Sequence, residues 1–415
     1  MRSRSEAHPD SASAELVDEL RAIGLRHGLD ALGVASADPF VSTRRDLEAR
    51  GEAGLHATMH FTYGNPERAT TPTMALPGAR SLVVAARSYR DVDPPYPVGP
   101  AGQVARYVRR DDYGVLRTAL SAIADRLKAG GWRARVLCDD NGLVDREAAY
   151  RAGLGWYGKN ANLLMEGKGS WFVLGSVVTD AELPPAKARV GDGCASCTRC
   201  LDGCPTGAIV APGVVDARRC LAWLLQADGV FPVQWREALG GRIYGCDDCQ
   251  EVCPVNRRSE RDARAHPDTA HQEGAFVDLV AMLEASDDEL VRRHGRWYIP
   301  KREARFLRRN ALVALGNVGD GGDPRVSRAL SRALGHGDAL VRGHAVWAAA
   351  RLGRRDLVDR LLADEHDPLV IEELALVSSQ VGEGRTGEGR TGEARTGEAR
   401  TGEGRTGDGR TGDHR

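Results

Sequence analysis

CASCTRCLDGCP, residues 194–205, decides how the rest of the chain reads. Cys194, Cys197, Cys200 and Cys204 follow the spacing C-x2-C-x2-C-x3-C-P. At that spacing three thiolates wrap one iron–sulfur cubane, while the fourth points at a neighbouring cluster. A second motif, Cys246-x2-Cys249-x3-Cys253-Pro254, is one cysteine short of a full repeat, and Cys220 is available to fill the gap. The crossover rule of two-cluster ferredoxins then assigns Cys194, Cys197, Cys200 and Cys253 to one 4Fe–4S cluster. Cys204, Cys220, Cys246 and Cys249 go to the second. A zinc reading, at four thiolates per ion, balances numerically as well, but it does not require the tight triple or the Cys-Pro endings. The remaining cysteine, Cys138, ends an apolar run and reads as a small core residue.

The clustering of cysteines in one region points to a metal site in a reducing compartment rather than to a disulfide framework, so the chain is expected to be cytoplasmic. A formal net charge of −1 removes any global attraction to nucleic acid, and such a contact must come from a local patch. No apolar run is long enough to cross a membrane, and the basic start MRSRSEAHPDSASAELVDEL has no apolar segment after it, so neither a membrane span nor a secretory signal is expected.

Working outward from the cysteines, four regions separate. Residues 1–185 read as an α/β domain: Ala14–His27 and Val115–Ala129 have helical spacing, 81–86 (SLVVAA) and 133–138 (RARVLC) are short β-like runs, and 169–180 (GSWFVLGSVVTD) is a strand pair or one long strand. Prolines at 94–100 mark a loop, and those at 184–185 a domain boundary. Residues 186–262 form the cysteine module, and 263–380 are helical. Within the helical part, 307–316, 341–350 and 370–379 share their apolar positions at a period near thirty residues, which suggests stacked helix pairs of the HEAT type, the plainer reading being ordinary amphipathic helices. Residues 381–415 are a tail of TGEGR-like repeats with almost no apolar side chains, expected to be disordered.

Two adjacent clusters carry single electrons, so the question is what they feed. No G-x-G-x-x-G turn of a dinucleotide fold and no C-x-x-C-H haem site is present. The most distinctive N-terminal stretch runs from Asp139 through Asp145-Arg146 to Ala152-Gly153-Leu154-Gly155-Trp156-Tyr157-Gly158-Lys159-Asn160. Combined with the two cysteine motifs, with Tyr244-Gly245-Cys246-Asp247-Asp248-Cys249-Gln250, with 76–86 and with the Arg68 to Pro72 segment, it resembles the epoxyqueuosine reductases, cobalamin-dependent iron–sulfur enzymes of queuosine-tRNA maturation. The likeness runs from about residue 14 to about residue 375.

This resemblance implies an α+β chain: a nitroreductase-like cobalamin-binding domain, a ferredoxin-like two-cluster module and HEAT-like repeats for tRNA. It implies base-off cobalamin, an external low-potential electron donor, no membrane, a monomer, and reduction of epoxyqueuosine in a tRNA anticodon stem-loop to queuosine and water. The chain has no D-x-H-x-x-G, which would supply a histidine to the lower cobalt face. Asp139 matches the family's proton donor. To hold a proton near neutrality it needs burial or a like-charged neighbour such as Asp140. Read alone, Asp139 and Asp140 are turn residues before Asn141-Gly142. The resemblance also places Arg68, Asp139, Lys159, Asn160, Arg219 and Asp247 near the cobalamin.

The stretch 292–309 (RRHGRWYIPKREARFLRR) interleaves basic residues with Trp297, Tyr298 and Phe306, a composition that suits phosphates and unpaired bases. Arg305, Arg308 and Arg309 are the expected tRNA contacts, the alternative being a solvated helix with its aromatics in the core. The chain departs from the family at 106–114, where a tryptophan and a histidine are absent, and before Asn256, where tryptophan is common. Two other readings compete: a corrinoid reductive dehalogenase, which usually carries a twin-arginine signal not found here, and a non-catalytic iron–sulfur electron-transfer protein.

Overall fold

The computed structural model describes residues 9–265, 273–361 and 365–383. The repeat tail expected at 381–415 lies, from residue 384 onward, outside the described residues.

The run at 81–86 becomes the strand Ser81–Ser88, central in a four-stranded antiparallel sheet ordered Ala31–Ser36, Ser81–Ser88, Phe172–Thr179, Ala134–Cys138. Strand side chains alternate between faces. Val83, Ala85, Val173 and Val177 therefore pack under the helices Pro9–Arg26 and Asp112–Ala129. Leu82, Val84, Ala86 and Val178 point the other way, into a second core with Phe40, Leu137, Ala148 and Ala149. Both faces being covered explains why 81–86 reads as a continuous apolar run rather than an alternating one. The stretch 169–180 is one strand with a short bridge, Met165 to Gly169, before it. Gly175 sits where the helix Asp112–Ala129 crosses closest: a Cβ there would lie 2.8 Å from Leu120 Cδ1 and 3.1 Å from the Leu137 carbonyl.

The C-terminal helices stack in sequence. Arg305–Val318 packs on Ala339–Arg351, which packs on Pro368–Glu383, while Pro324–Leu334 and Arg355–Leu361 form a second layer. The three segments that share apolar positions in sequence are thus the three helices of one row.

Packing does not follow the expected boundaries. Ala101–Val104, from the N-terminal region, is the middle strand between Arg242–Tyr244 of the cysteine region and Phe276–Asp278 of the helical region. Leu221, Phe231, Leu239 and Ile243 share a core with Leu307, Leu312, Val341 and Val370. A fully buried pair, Arg236 to Glu373, joins the helix Val233–Leu239 to the last helix. The segment from about Cys220 to Tyr244 therefore belongs to the helical core. The proline runs mark surface loops; they do not mark where packing changes hands.

Candidate active site

The seven cysteines of the two motifs and Cys220 fall into two spatial groups. Cys200 feels the electrostatic influence of Cys253, Cys194 and Cys197, and Cys249 that of Cys246, Cys220, Asp247 and Cys204. All are free thiols. Backbone N–H groups aim at their sulfurs: Ala208 at Cys204 (3.2 Å), Ala222 and Trp223 at Cys220, Asp248 at Cys246, and Val255 and Asn256 at Cys253. Burial pushes the Cys220, Cys246 and Cys253 thiols up; the amides pointing at sulfur work the other way and suit an anionic cluster. Among the described residues no three His, Cys, Asp or Glu side chains gather to hold a single ion. The donor set thus fits two polynuclear thiolate clusters.

A cleft of about 890 Å³ opens between the four-stranded sheet and the cysteine region, at the upper end of what ligand pockets span. Cys204, Cys220, Cys246 and Cys249 all line it, and the other four cysteines do not. Asp139 and Asn160 line it too, with Tyr89, Tyr107 and Tyr113.

Asp139 follows the strand Ala134–Cys138 and has φ +55°, a left-handed conformation uncommon outside glycine but tolerated by Asp. Strain of this kind gathers at functional sites. Its neighbour Asp140 takes the turn role, accepting the Gly142 N–H at 2.7 Å. Asp139 is exposed on the cleft wall, so the burial expected of the proton donor falls on another acid. Burial, with the charges of Asp139 and Asp140 nearby, holds the Asp145 carboxyl well above the usual carboxylate range. The Tyr113 hydroxyl is pushed up by burial and by Asp139 and Asp145.

Lys159 and Asn160 serve the cysteine loops. Asn160 Nδ2 donates to the Cys249 carbonyl at 3.2 Å, and Lys159 Nζ donates to the Ala195 carbonyl at 2.6 Å. Lys159 is not part of the cleft lining. Arg68 is exposed on the short helix Pro66–Thr70, also outside the lining. Arg219 lies one step behind the wall: its Nε donates to the carbonyl of Thr206, a lining residue, and its guanidinium faces Trp235. Asp247 lines the cleft, is buried, and accepts the Arg106 N–H at 2.8 Å. Of the six residues expected at the cofactor, Asp139, Asn160 and Asp247 share the cleft.

The expected tRNA contacts need correction. Arg309 is fully buried, with its guanidinium spent on the carbonyls of Ala227, Gly229 and Leu224 and on Asn310. Desolvation lowers it to about 9. Arg308 is buried against Asp287 and the Ala285 carbonyl. Arg305 is partly exposed but paired with Glu303 and Asp338. The helix Arg305–Val318 turns these positions inward because its neighbours on both sides are protein. Trp297 and Phe306 are buried, as the alternative reading held. The exposed cations are Arg292, Arg293, Arg296, Lys301 and Arg302, just before that helix.

Sequence reasoning passed over much of the cleft wall: His56, Phe61 and Tyr89 come from separate segments with no shared motif, while Arg146 and Tyr157 lie in the distinctive stretch but were given no role. Tyr107 and Tyr113 fall in the stretch 106–114, where the departures from the family lie.

Comparison with known proteins agrees with this geometry. Residues 193–256 match the family described as 4Fe-4S double cluster binding domain, and residues 69–140 match epoxyqueuosine reductase QueG, DUF1730. An epoxyqueuosine reductase of Xanthomonas campestris is 34% identical over 368 residues, covering 84% of this chain and 98% of the relative. One from Bacillus subtilis is 33% identical, covering 82% and 88%. Among solved structures, an epoxyqueuosine reductase with a tRNA-Tyr epoxyqueuosine-modified stem loop superposes with TM-score 0.79 at 29% identity, over 89% of this chain and all of that one. The Streptococcus thermophilus enzyme gives 0.78 at 26%, over 88% and 98%.

Proposed function

The chain belongs to the epoxyqueuosine reductase family, and we propose that its cleft is the site where epoxyqueuosine in a tRNA anticodon stem-loop is reduced to queuosine. One observation carries the assignment: four thiols of a double-cluster domain and the family's candidate proton donor, Asp139, line the same cavity.

Cys194, Cys197, Cys200 and Cys253 would hold one 4Fe–4S cluster, and Cys204, Cys220, Cys246 and Cys249 the other, at the cleft. Base-off cobalamin would occupy the cleft itself, against Asn160 and Asp247. Bound there, the clusters would supply single electrons and the corrin a reduced, electron-rich cobalt centre. The reaction breaks both C–O bonds of the epoxide and leaves a carbon–carbon double bond. It takes two electrons and two protons and releases the oxygen as water. The protein's own share is proton delivery and enclosure. Asp139 donates a proton to the departing oxygen, which would otherwise leave as a poor alkoxide. Desolvation favours the protonated forms of Asp145 and Tyr113, and Asn160 and Lys159 hold the cysteine loops in register. Arg68 and Arg219 remain candidate cofactor contacts only through parts of the cofactor that reach beyond the cleft lining.

The sheet with its covering helices is read as the nitroreductase-like core, and the stacked row of helices as HEAT-like repeats. The cysteine-bearing stretches of residues 186–262 would act as the electron-transfer module, with an external low-potential donor meeting the exposed stretch 195–199, which lies outside the cleft lining. No helix among the described residues is long and apolar enough to cross a membrane. A monomer working in the cytoplasm suits this substrate.

The test is reconstitution with iron, sulfide and cobalamin, followed by assay on epoxyqueuosine-containing tRNA. Spectra of base-off cobalt(II) together with iron–sulfur clusters, and formation of queuosine, are expected. Failure to bind cobalamin, or binding without turnover of the tRNA, overturns the assignment.

A further inference from the structure

The end of the helix Asp287–Arg293 and the segment after it carry exposed Arg292, Arg293, Arg296, Lys301 and Arg302. Within that segment the side chains alternate: Trp297 is buried, Tyr298 is 48% exposed, and Ile299 is buried. Trp297 stacks on Tyr244 with centroids 4.6 Å apart and planes 17° apart. The Tyr298 N–H donates to the Tyr244 hydroxyl at 2.6 Å. These anchors leave the Tyr298 ring outside but fix its backbone. Its edge neighbour is Phe61, from the other end of the chain, at 5.7 Å and 63°. Phe61 is itself 38% exposed, lines the cleft, and is braced edge-on by Trp223 at 6.0 Å.

We propose that Phe61 and Tyr298 form an aromatic clamp at the cleft mouth that stacks on an unpaired base of the tRNA anticodon loop beside the base being reduced. The proposal rests on the cleft being the reductase site. A base delivered into the cleft must leave the loop stack, and its neighbour then loses a stacking partner. A pre-fixed aromatic face replaces that partner at little entropic cost, and it serves any base because every base has a π-face. The surrounding cations suit the phosphates on either side of such a base. A second copy of this chain would bring the same cations against themselves, which disfavours a homodimer face.

The test uses the reconstituted holoprotein and an epoxyqueuosine stem-loop carrying 2-aminopurine next to the modified position. Tyr298→Ala and Phe61→Ala are expected to weaken stem-loop binding roughly ten-fold each, the range of one lost base–aromatic stack. They should also relieve quenching of the 2-aminopurine, and leave the salt dependence of binding unchanged. Tyr298→Phe, which keeps the ring, should bind like the parent. Arg293→Glu with Arg296→Glu should instead flatten the salt dependence. Iron–sulfur absorbance equal to the parent's establishes that each variant is folded. Should either alanine variant alone misfold, the other decides. If both bind within about two-fold of the parent, with unchanged emission, the clamp is wrong although the reductase reading stands. If they change the oligomeric state instead, the patch is a protein interface and the clamp is equally wrong. If the parent neither binds nor reduces the stem-loop, the site assignment fails and takes the clamp with it.

Discussion

Asp139 and Asp145 divide between them what was expected of one acid. Asp139 occupies the left-handed backbone position on the cleft wall, and Asp145, half-buried on the same wall, is the one whose carboxyl desolvation pushes up. Asp139→Asn should keep cobalamin binding, read by its visible spectrum, while turnover falls about 10²-fold or more, as loss of a general acid does. Unchanged turnover would remove Asp139 from the proton-donor role. For Asp145 the sign runs the other way from a salt-bridged carboxylate. Its folded carboxyl holds a proton to higher pH than the unfolded one, so the folded state is penalised as pH rises from about 4 through the folded value. Asp145→Asn should remove that penalty. Thermal melts should show the variant gaining on the parent as pH rises above about 4, and a parallel pH dependence in both would contradict the desolvated acid. Asp139 was legible as a candidate because it sits in a quotable motif. Asp145 was quoted in the same stretch, yet burial by residues distant in sequence, which a linear reading does not contain, decides its protonation.

At the scale of elements, the basic stretch 292–309 shows how the same composition splits. Before residue 304 the end of the helix Asp287–Arg293 and the turns that follow it leave the cations at the surface. After residue 304 the helix Arg305–Val318 is enclosed, and Arg309 becomes an internal donor to carbonyls. Helical periodicity alone cannot say that both sides of a helix are covered. Arg236 and Glu373 make the same point from opposite ends of the helical core. Breaking one partner of a buried pair strands the other, at about 3–5 kcal/mol. Arg236→Met should therefore lower the melting temperature sharply, whereas Arg236→Met with Glu373→Leu should recover much of the loss. A double variant as unstable as the sum of the single ones would mean that the pair is not the main bond between these helices.

At the scale of the molecule, the cysteines wire the chain. One group lines the cleft and the other lies beside the exposed stretch 195–199. The two groups share the segment Cys249–Cys253, one end in each. Cys220→Ala should remove the cleft-side cluster and about half of the iron and sulfide, leaving the electron paramagnetic resonance signal of the other cluster intact. Cys253→Ala should do the converse. Loss of both signals in either variant would show that the clusters assemble as one unit, and loss of neither would remove that cysteine from the ligand set. The seam holding the module to the sheet is a buried polar set. Asn256 accepts the Ser170 N–H at 2.6 Å, and Gln250 donates to the Ser170 carbonyl and the Tyr89 hydroxyl. This fixes the cleft between two regions that the sequence reads as separate domains.

The sequence by itself determined the thiol spacing, the family likeness and the apolar runs of strands and helices, and it offered Cys220 as the candidate for the missing ligand. These are local patterns, written in spacings of two to a few residues, and short-range geometry alone translates them. The tertiary structure decided which arginines face water, which aspartate is desolvated, and where one packing unit ends. It also brought Phe61 beside Tyr298 and gathered the cleft wall. Each of these depends on burial against residues far away in the chain, and burial is a property of the assembled molecule.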